Sequence, residues 1–267
     1  MPIITLLTDF GERDGYVGAM KGVILGIAPT ASLVDISHDI PPQDIPLAAY
    51  VLWSTYRFFP PDAIHLVVVD PGVGTERRPI AVQTRRGRFV APDNGVLGYV
   101  LEQEGEWQAV HLTERRFWRP DVSMTFHGRD IFAPAAAHLA AGVPLHELGP
   151  AITDPTPMPF PQVRRLDEAR CQARLVYIDR FGNCVTNLPA EYPLAGRPAA
   201  SWGPALSAQL GDHLIRGLYP TYAAVAPGQP LLLVGSSGLV EIAVREGDAA
   251  EHFRASIGRE VLFHAGA

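Results

Sequence analysis

The sequence predicts an α/β protein in two parts: a largely parallel α/β sandwich domain, then an antiparallel β-barrel domain. Three observations lead there. Strand-like and helix-like segments alternate as far as Gly149, the pattern of a parallel sheet covered by helices. Pro155, Pro157, Pro159 and Pro161 then occupy every second position, which reads as a stiff, extended linker over residues 155–162. Beyond it helical periodicity nearly vanishes, and short apolar runs remain. The expected division is residues 1–154, the linker at 155–162, and residues 163–267.

The first part reads element by element. Ile3 to Thr8 is a buried strand ending at Asp9. Asp14 or Gly15 caps a helix with Val17, Met20, Ile24 and Ile27 on one face, stopped near Pro29. Leu33 to Ile36 is a second short strand. Pro41-Pro42 breaks the chain, and Pro46 suits the first turn of a helix through Tyr56. Ile64 to Val69 is a third strand. Ile80 to Val82 and Arg88 to Val90 pair across Arg86-Gly87. Asp93-Asn94-Gly95 turns into a helix over Val96 to Glu102, and Ile131 to Ala141 forms an Ala-rich helix. In the second part, Ala173 to Ile178, Leu231 to Val234, Leu239 to Val244 and Val261 to His264 are strand-like.

The bulk numbers narrow the function classes. The chain has 267 residues, 47% of them hydrophobic and 19% charged, so it can bury a sizeable core. A net charge of −6, with no basic stripe or zinc-finger spacing, gives nothing to draw in a phosphate backbone. A small molecule is the expected partner, not nucleic acid. Cys171 and Cys184 are the only cysteines and form no CxxC pair. No basic-then-apolar leader opens the sequence, and no apolar run reaches the roughly 20 residues that span a bilayer. The expectation is a cytoplasmic protein that is not membrane-bound.

The densest chemical signal is Val67-Val68-Val69-Asp70-Pro71-Gly72-Val73-Gly74-Thr75-Glu76-Arg77-Arg78. A buried strand delivers Asp70 to the sheet edge, where ligands collect in open α/β folds. Asp9 ends the first strand in the same way. Phe126-His127-Gly128-Arg129-Asp130 sets a histidine at a loop–helix junction. Asp70, Arg77 and His127 suit one ionic cluster: a guanidinium fork fixes a carboxylate, and a histidine shares protons near neutral pH. On spacing alone Arg78 competes with Arg77. Asp179-Arg180-Phe181-Gly182-Asn183 and Thr186-Asn187 bring a carboxylate, a ring and amides, the groups that recognise a flat polar molecule. No P-loop, dinucleotide fingerprint or nucleophile elbow is present. The histidines form no metal set, and no metal or other cofactor is expected.

Five stretches, together spanning most of the chain, resemble the S-adenosylmethionine hydroxide adenosyltransferases (adenosylmethionine hydrolases), relatives of the fluorinases and chlorinases. They are Leu7-Thr8-Asp9-Phe10-Gly11 with Asp14; Asp70 to Thr75 with Arg77-Arg78; Ala91 to Gly95; Phe126 to Asp130; and Phe181-Gly182-Asn183 with Thr186-Asn187. The resemblance implies hydrolysis of S-adenosyl-L-methionine to adenosine and L-methionine. It also implies a homotrimer whose sites lie between the first domain of one subunit and the second domain of the next.

It maps the catalytic set onto Asp70, Arg77 and His127, choosing Arg77 over Arg78. It gives Asp9 the ribose hydroxyls, Asp14 and Asp179 the methionine portion, and Phe181 and Asn183 the adenosyl group. Phe10, Asn94, Ser236 and Ser237 complete the expected binding set. Halogenating relatives carry a Tyr-type residue at the position of Asp70, and hydroxyl side chains at those of Val73 and Gly128. They carry Ser-Arg where this chain has Ser236-Ser237. A carboxylate repels a desolvated halide and suits a water, so water is the expected nucleophile. Competing readings are a metal-dependent phosphoester hydrolase using Asp9, Asp14, Asp39 and Asp70, and a non-catalytic adenosine or S-adenosylmethionine-binding protein.

Overall fold

A computed structural model describes residues 1–266, in two units, Met1–Phe160 and Pro161–Ala267. The first unit runs β1 (Ile3–Thr8), α1 (Tyr16–Ile27), β2 (Ser32–Ser37), α2 (Ile45–Thr55), β3 (Ile64–Val68), β4 (Pro79–Thr84), β5 (Arg88–Pro92), α3 (Gly98–Glu104), β6 (Trp107–His111), α4 (Ala133–Ala140) and β7 (Ala151–Ile152). Its seven strands lie in the order β2-β1-β3-β5-β4-β6-β7. The pairs β2–β1, β1–β3 and β3–β5 are parallel; β5–β4, β4–β6 and β6–β7 are antiparallel. The half of the sheet holding β1 and β3 is thus the parallel half that the strand–helix alternation predicts.

Side-chain alternation explains the layering. Leu6, Leu66 and Val68 pack with Met20 and Ile24 of α1 and with the alanines of α4. Leu7 and Val67 face the other way, onto Ala48 and Leu52 of α2 and Val100 of α3. Every residue of β3 is buried, as strands covered on both faces must be. Asp44 caps α2 by accepting from Leu47 N at 3.0 Å, with Pro46 in its first turn. At α1 the cap position is Gly15, with no side-chain cap bond.

The expected Ala-rich helix begins differently. A π-type turn spans Gly128–Phe132 and only then passes into α4. The proline-rich stretch, read as a stiff, extended linker over residues 155–162, is fastened to the first unit along residues 155–160. Thr156 N donates to Asp93 Oδ1 at 2.6 Å, and Phe160 N donates to Glu102 Oε2 at 2.7 Å. The prolines lack N–H groups, so an extended strap needs few acceptors, and these two carboxylates supply them. Residues 155–160 therefore belong to the first unit.

The second unit comprises β8 (Arg164–Arg165), β9 (Arg170–Ile178), β10 (Cys184–Pro189), β11 (Pro193–Leu194), β12 (Arg197–Pro198), β13 (Leu206–Leu210), β14 (His213–Arg216), β15 (Pro230–Val234), β16 (Leu239–Val244), α5 (Ala249–Phe253) and β17 (Glu260–Ala265). The main sheet is antiparallel in the order β14-β13-β17-β9-β10-β16-β15. Leu218, just after β14, bridges to Leu232 of β15, so the sheet nearly closes into a barrel. Burial pushes the Cys171 thiol up to about 12 and the Cys184 thiol up to about 11. Both are free, buried, protonated core residues without nucleophilic character.

Candidate active site

The site of the first unit lies at the carboxyl ends of β1 and β3, which pair in parallel through Thr8 and Val68. Each strand is followed within two residues by an acidic one. Asp9 follows Thr8, and its Oδ2 accepts from Gln43 N at 2.8 Å. Asp70 follows the buried Val69. Phe10, Tyr16 and Phe126 form an aromatic wall beside them, with ring centroids 5.2–5.9 Å apart.

Asp70 and Arg77 meet fork to fork. Arg77 Nε donates to Oδ1 at 2.9 Å and to Oδ2 at 3.1 Å, and Arg77 Nη2 donates to Oδ2. The side chains are 5% and 10% exposed, so water screens the pair little. The guanidinium lies 4.9 Å from the centre of the Phe132 ring. Arg77 Nη2 also reaches His127 Nδ1 at 3.0 Å. Only a bare ring nitrogen accepts from a guanidinium, so the neutral ring carries its proton on Nε2. Burial first, and the Arg77 charge second, pull His127 below its ordinary value. Arg77 Nη1 is buried without a hydrogen-bond partner, a donor left over in the cluster.

Local backbone chemistry sets this convergence. The turn after Asp70 is pinned by Thr75 Oγ1, which donates to Gly72 O at 2.6 Å. Gly74 sits at φ +77°, and a Cβ there would overlap Met124 O. Glycine is what lets this turn press against the loop that delivers His127. His127 itself precedes the π-type turn.

The two arginines that spacing cannot separate take different partners. Arg78 turns away from Asp70. It donates to Asp93 Oδ2 at 2.7 Å and to Asp154 Oδ1 at 2.9 Å, tying the start of the strap to the sheet edge. Asn94 donates to Val69 O at 2.9 Å and accepts from Val96 N at 3.2 Å. Its amide braces the strand that carries Asp70. Asp14 is exposed. Asp130 is fully buried and pairs with Arg129 and Arg119. Among the described residues no group of three or more His, Cys, Asp or Glu side chains is placed to hold a metal ion. The metal reading built on Asp9, Asp14, Asp39 and Asp70 therefore lacks its ligand set, and Asp70 is already held by a cation.

A second polar cluster sits in the barrel unit. Asp179 Oδ1 accepts from Phe181 N at 2.9 Å and Asn183 N at 2.8 Å, and its Oδ2 accepts from Asn183 Nδ2 at 2.8 Å. This Asx-type turn holds Phe181 out, 75% exposed. Asn183 Nδ2 also reaches Tyr222 Oη at 3.4 Å. Thr186 and Asn187 are buried brackets: Thr186 Oγ1 donates to Val240 O at 2.7 Å, and Asn187 Nδ2 to Pro161 O at 2.9 Å. Glu241 of β16 is only 8% exposed. Burial, then the Asp179 charge, push it up to about 7. Ser236 and Ser237 lie in the turn between β15 and β16.

Residues 4–149 match the SAM hydroxide adenosyltransferase N-terminal domain, and residues 173–262 match the corresponding C-terminal domain. The chain belongs to the SAM hydroxide adenosyltransferase family. It is 40% identical to an (R)-S-adenosyl-L-methionine hydrolase from Salinispora tropica, over 99% of this chain and 98% of that one. It is 37% identical to an (R)-S-adenosyl-L-methionine hydrolase from Thermus thermophilus, covering 93% and 94%. A fluorinase from Actinoplanes is more distant, 28% identical over 91% of this chain and 90% of that one. A solved structure of a conserved protein from Thermotoga maritima superposes with a TM-score of 0.92 at 35% identity, covering 98% of this chain and 99% of that one.

Against that family background, the structure adds three residues to those the sequence singles out. Phe132 supports Arg77 from below. Tyr222 joins the Asp179–Asn183 turn. Glu241 interrupts the apolar run Leu239-Val240-Glu241-Ile242-Ala243-Val244, a signal visible in the sequence yet ambiguous there, since alternate residues of an edge-facing strand are often polar.

Proposed function

We propose that this enzyme hydrolyses S-adenosyl-L-methionine to adenosine and L-methionine, by in-line attack of water or hydroxide at the ribose C5′. The observation that carries the reading is the convergence of Asp70, Arg77 and His127 at the carboxyl edge of the parallel strands. The hydrolase names of relatives at 37–41% identity point the same way. The sulfonium is an activated leaving group, so methionine departs without an acid to protonate it. Hydroxide meeting a sulfonium also cancels charge as the transition state forms, which a dry site favours.

The difficult component is the water, whose pKa in bulk is about 15.7. His127 Nδ1 faces a guanidinium, so a proton there would put cation against cation. Asp70 is the anion of the set and keeps lone-pair capacity on Oδ1, which accepts one bond. Asp70 thus orients the water and draws on its proton, the spare Arg77 N–H stabilises developing hydroxide, and His127 holds Arg77 in place. The rate gain comes from positioning and preset charge.

Asp9 has one oxygen engaged by Gln43 N; in this reading the other takes the ribose hydroxyls. Phe181 and Asn183 hold the adenosyl group. Asp14 and Asp179 serve the methionine portion, Ser236 and Ser237 the adenine side, and Phe10 and Asn94 complete the binding set. In this reading the enzyme is a cytoplasmic homotrimer, the barrel unit of one subunit completes the site of its neighbour, and no metal or cofactor takes part.

The test is direct. Metal-stripped protein incubated with S-adenosyl-L-methionine yields adenosine and methionine in equal amounts, followed by chromatography. Substrate recovered intact after tight binding contradicts the reading, as does activity that returns only on adding a divalent ion.

A further inference from the structure

The chain on both sides of Asp9 is held by a single residue, His38. Before Asp9, Thr8 Oγ1 meets His38 Nδ1 at 2.8 Å; after it, Gly11 N donates to His38 O at 2.8 Å. Thr8 and His38 are both buried, 0% and 5% exposed. A shift in the β1–β2 pairing permits the contact. Leu6 pairs with Asp35 but Leu7 with Ser37, so one extra residue of β2 brings His38 level with Thr8. His38 Nε2 lies 3.0 Å from Asp35 Oδ1, a charge contact rather than an aligned hydrogen bond. Asp35 Oδ2 accepts in turn from Lys21 Nζ of α1 at 2.6 Å. The carboxylate keeps the ring proton on Nε2, so Thr8 donates to Nδ1 while its oxygen accepts from Phe10 N at 3.3 Å. The segment after His38 then supplies Gln43 N to Asp9 Oδ2. Gln43 sits at φ +68°, a left-handed conformation that is unfavourable for a side chain of its kind.

Hydroxyl, imidazole and carboxylate in this order make up a nucleophile triad elsewhere. Here the hydroxyl is fully buried and occupied by Phe10 N–H and His38, so it attacks nothing. What the chain of contacts does is fix direction. We propose that His38 is the positioning residue that aims Asp9 at the ribose hydroxyls, acting through Thr8 and the Gly11 turn. This deepens the hydrolytic reading and rests on its assignment of the ribose to Asp9. A carboxylate already aimed by its surroundings loses little freedom when a diol binds.

The test reads nucleoside binding by calorimetry, independently of turnover. Wild-type protein should bind adenosine about tenfold or more tighter than 2′,3′-dideoxyadenosine. Thr8→Val keeps the shape and removes the hydroxyl. It should cut the preference to within about threefold by weakening adenosine alone, since a misaimed Asp9 affects only the ligand that has hydroxyls. Thr8→Ser keeps the hydroxyl and His38→Asn keeps an acceptor for it, and both should retain most of the preference. With S-adenosyl-L-methionine, Thr8→Val should raise KM more than it lowers kcat. A merely structural role would weaken both nucleosides together and leave their ratio alone. An unchanged ratio in folded Thr8→Val protein, or equal affinities in wild-type protein, overturns the proposal. Asp35→Ala, at the exposed end of the chain of contacts, decides the matter should Thr8→Val fail to fold: it should lose about threefold of the preference, and an unchanged ratio overturns the proposal there too. Should wild-type protein release no adenosine from S-adenosyl-L-methionine, the hydrolytic reading falls, and the binding ratio still decides the role of His38.

Discussion

Asp70, two residues past β3 of the sandwich unit, and Glu241, within β16 of the barrel unit, both keep their side chains largely out of solvent, yet their surroundings are inverted. Asp70 meets a guanidinium fork on both oxygens. Glu241 meets apolar strand neighbours and an anion at a distance. The sandwich unit arrives with its charges already matched, the condition for stabilising a transition state without reorganisation. In the barrel unit the Glu241 carboxyl group has no cation beside it, and burial and the Asp179 charge hold it above the ordinary carboxylate range.

The comparison breaks most decisively at Asp70. Asp70→Asn preserves shape and removes charge, and kcat should fall by about 10²- to 10³-fold with KM little changed, read by adenosine release. Arg77→Lys keeps the charge but loses the fork, and turnover should drop roughly 10- to 100-fold. The neighbouring Arg78→Lys sharpens the contrast. It should leave turnover within about twofold and slightly lower the urea midpoint, through weaker ties to Asp93 and Asp154.

His127 adds a pH dependence of defined sign. Its ring must stay neutral at Nδ1 to accept from Arg77, and its folded pKa lies below the ordinary 6.5. Activity should therefore be level at neutral pH and fall only as pH drops below about 6.5, through the lowered value. The stability contribution runs the same way, because the unfolded chain takes up this proton first. His127→Gln, which offers an untitratable acceptor, should remove that acid limb. The smallest effect is expected from a chelator: excess EDTA should leave the rate unchanged.

The reach of sequence reasoning follows the same division. The position of Asp70 just past a buried strand is legible because an all-apolar β run reads as a buried strand, and Asp9 repeats the pattern on the neighbouring strand. The choice between Arg77 and Arg78 was not legible from spacing. Adjacent residues point apart, and which one meets Asp70 depends on the turn that Gly74 allows against Met124. The strap's affinity for the first unit escaped because Asp93 and Glu102 are far from it in sequence. In the barrel, β10, β13 and β14 escaped because polar residues such as Thr186, Asn187, Ser207 and Gln209 interrupt their apolar runs. Glu241 escaped for a related reason: the sequence shows an acid in a strand, and only the fold shows that it is buried.

The central claim is that the Asp70–Arg77–His127 cluster aims a water at C5′, and oxygen isotope transfer tests it most directly. In water enriched in oxygen-18, the enzyme should place the heavy atom on the 5′ oxygen of adenosine and leave methionine unlabelled. Heavy oxygen in methionine, or adenosine formed without it, would contradict the account.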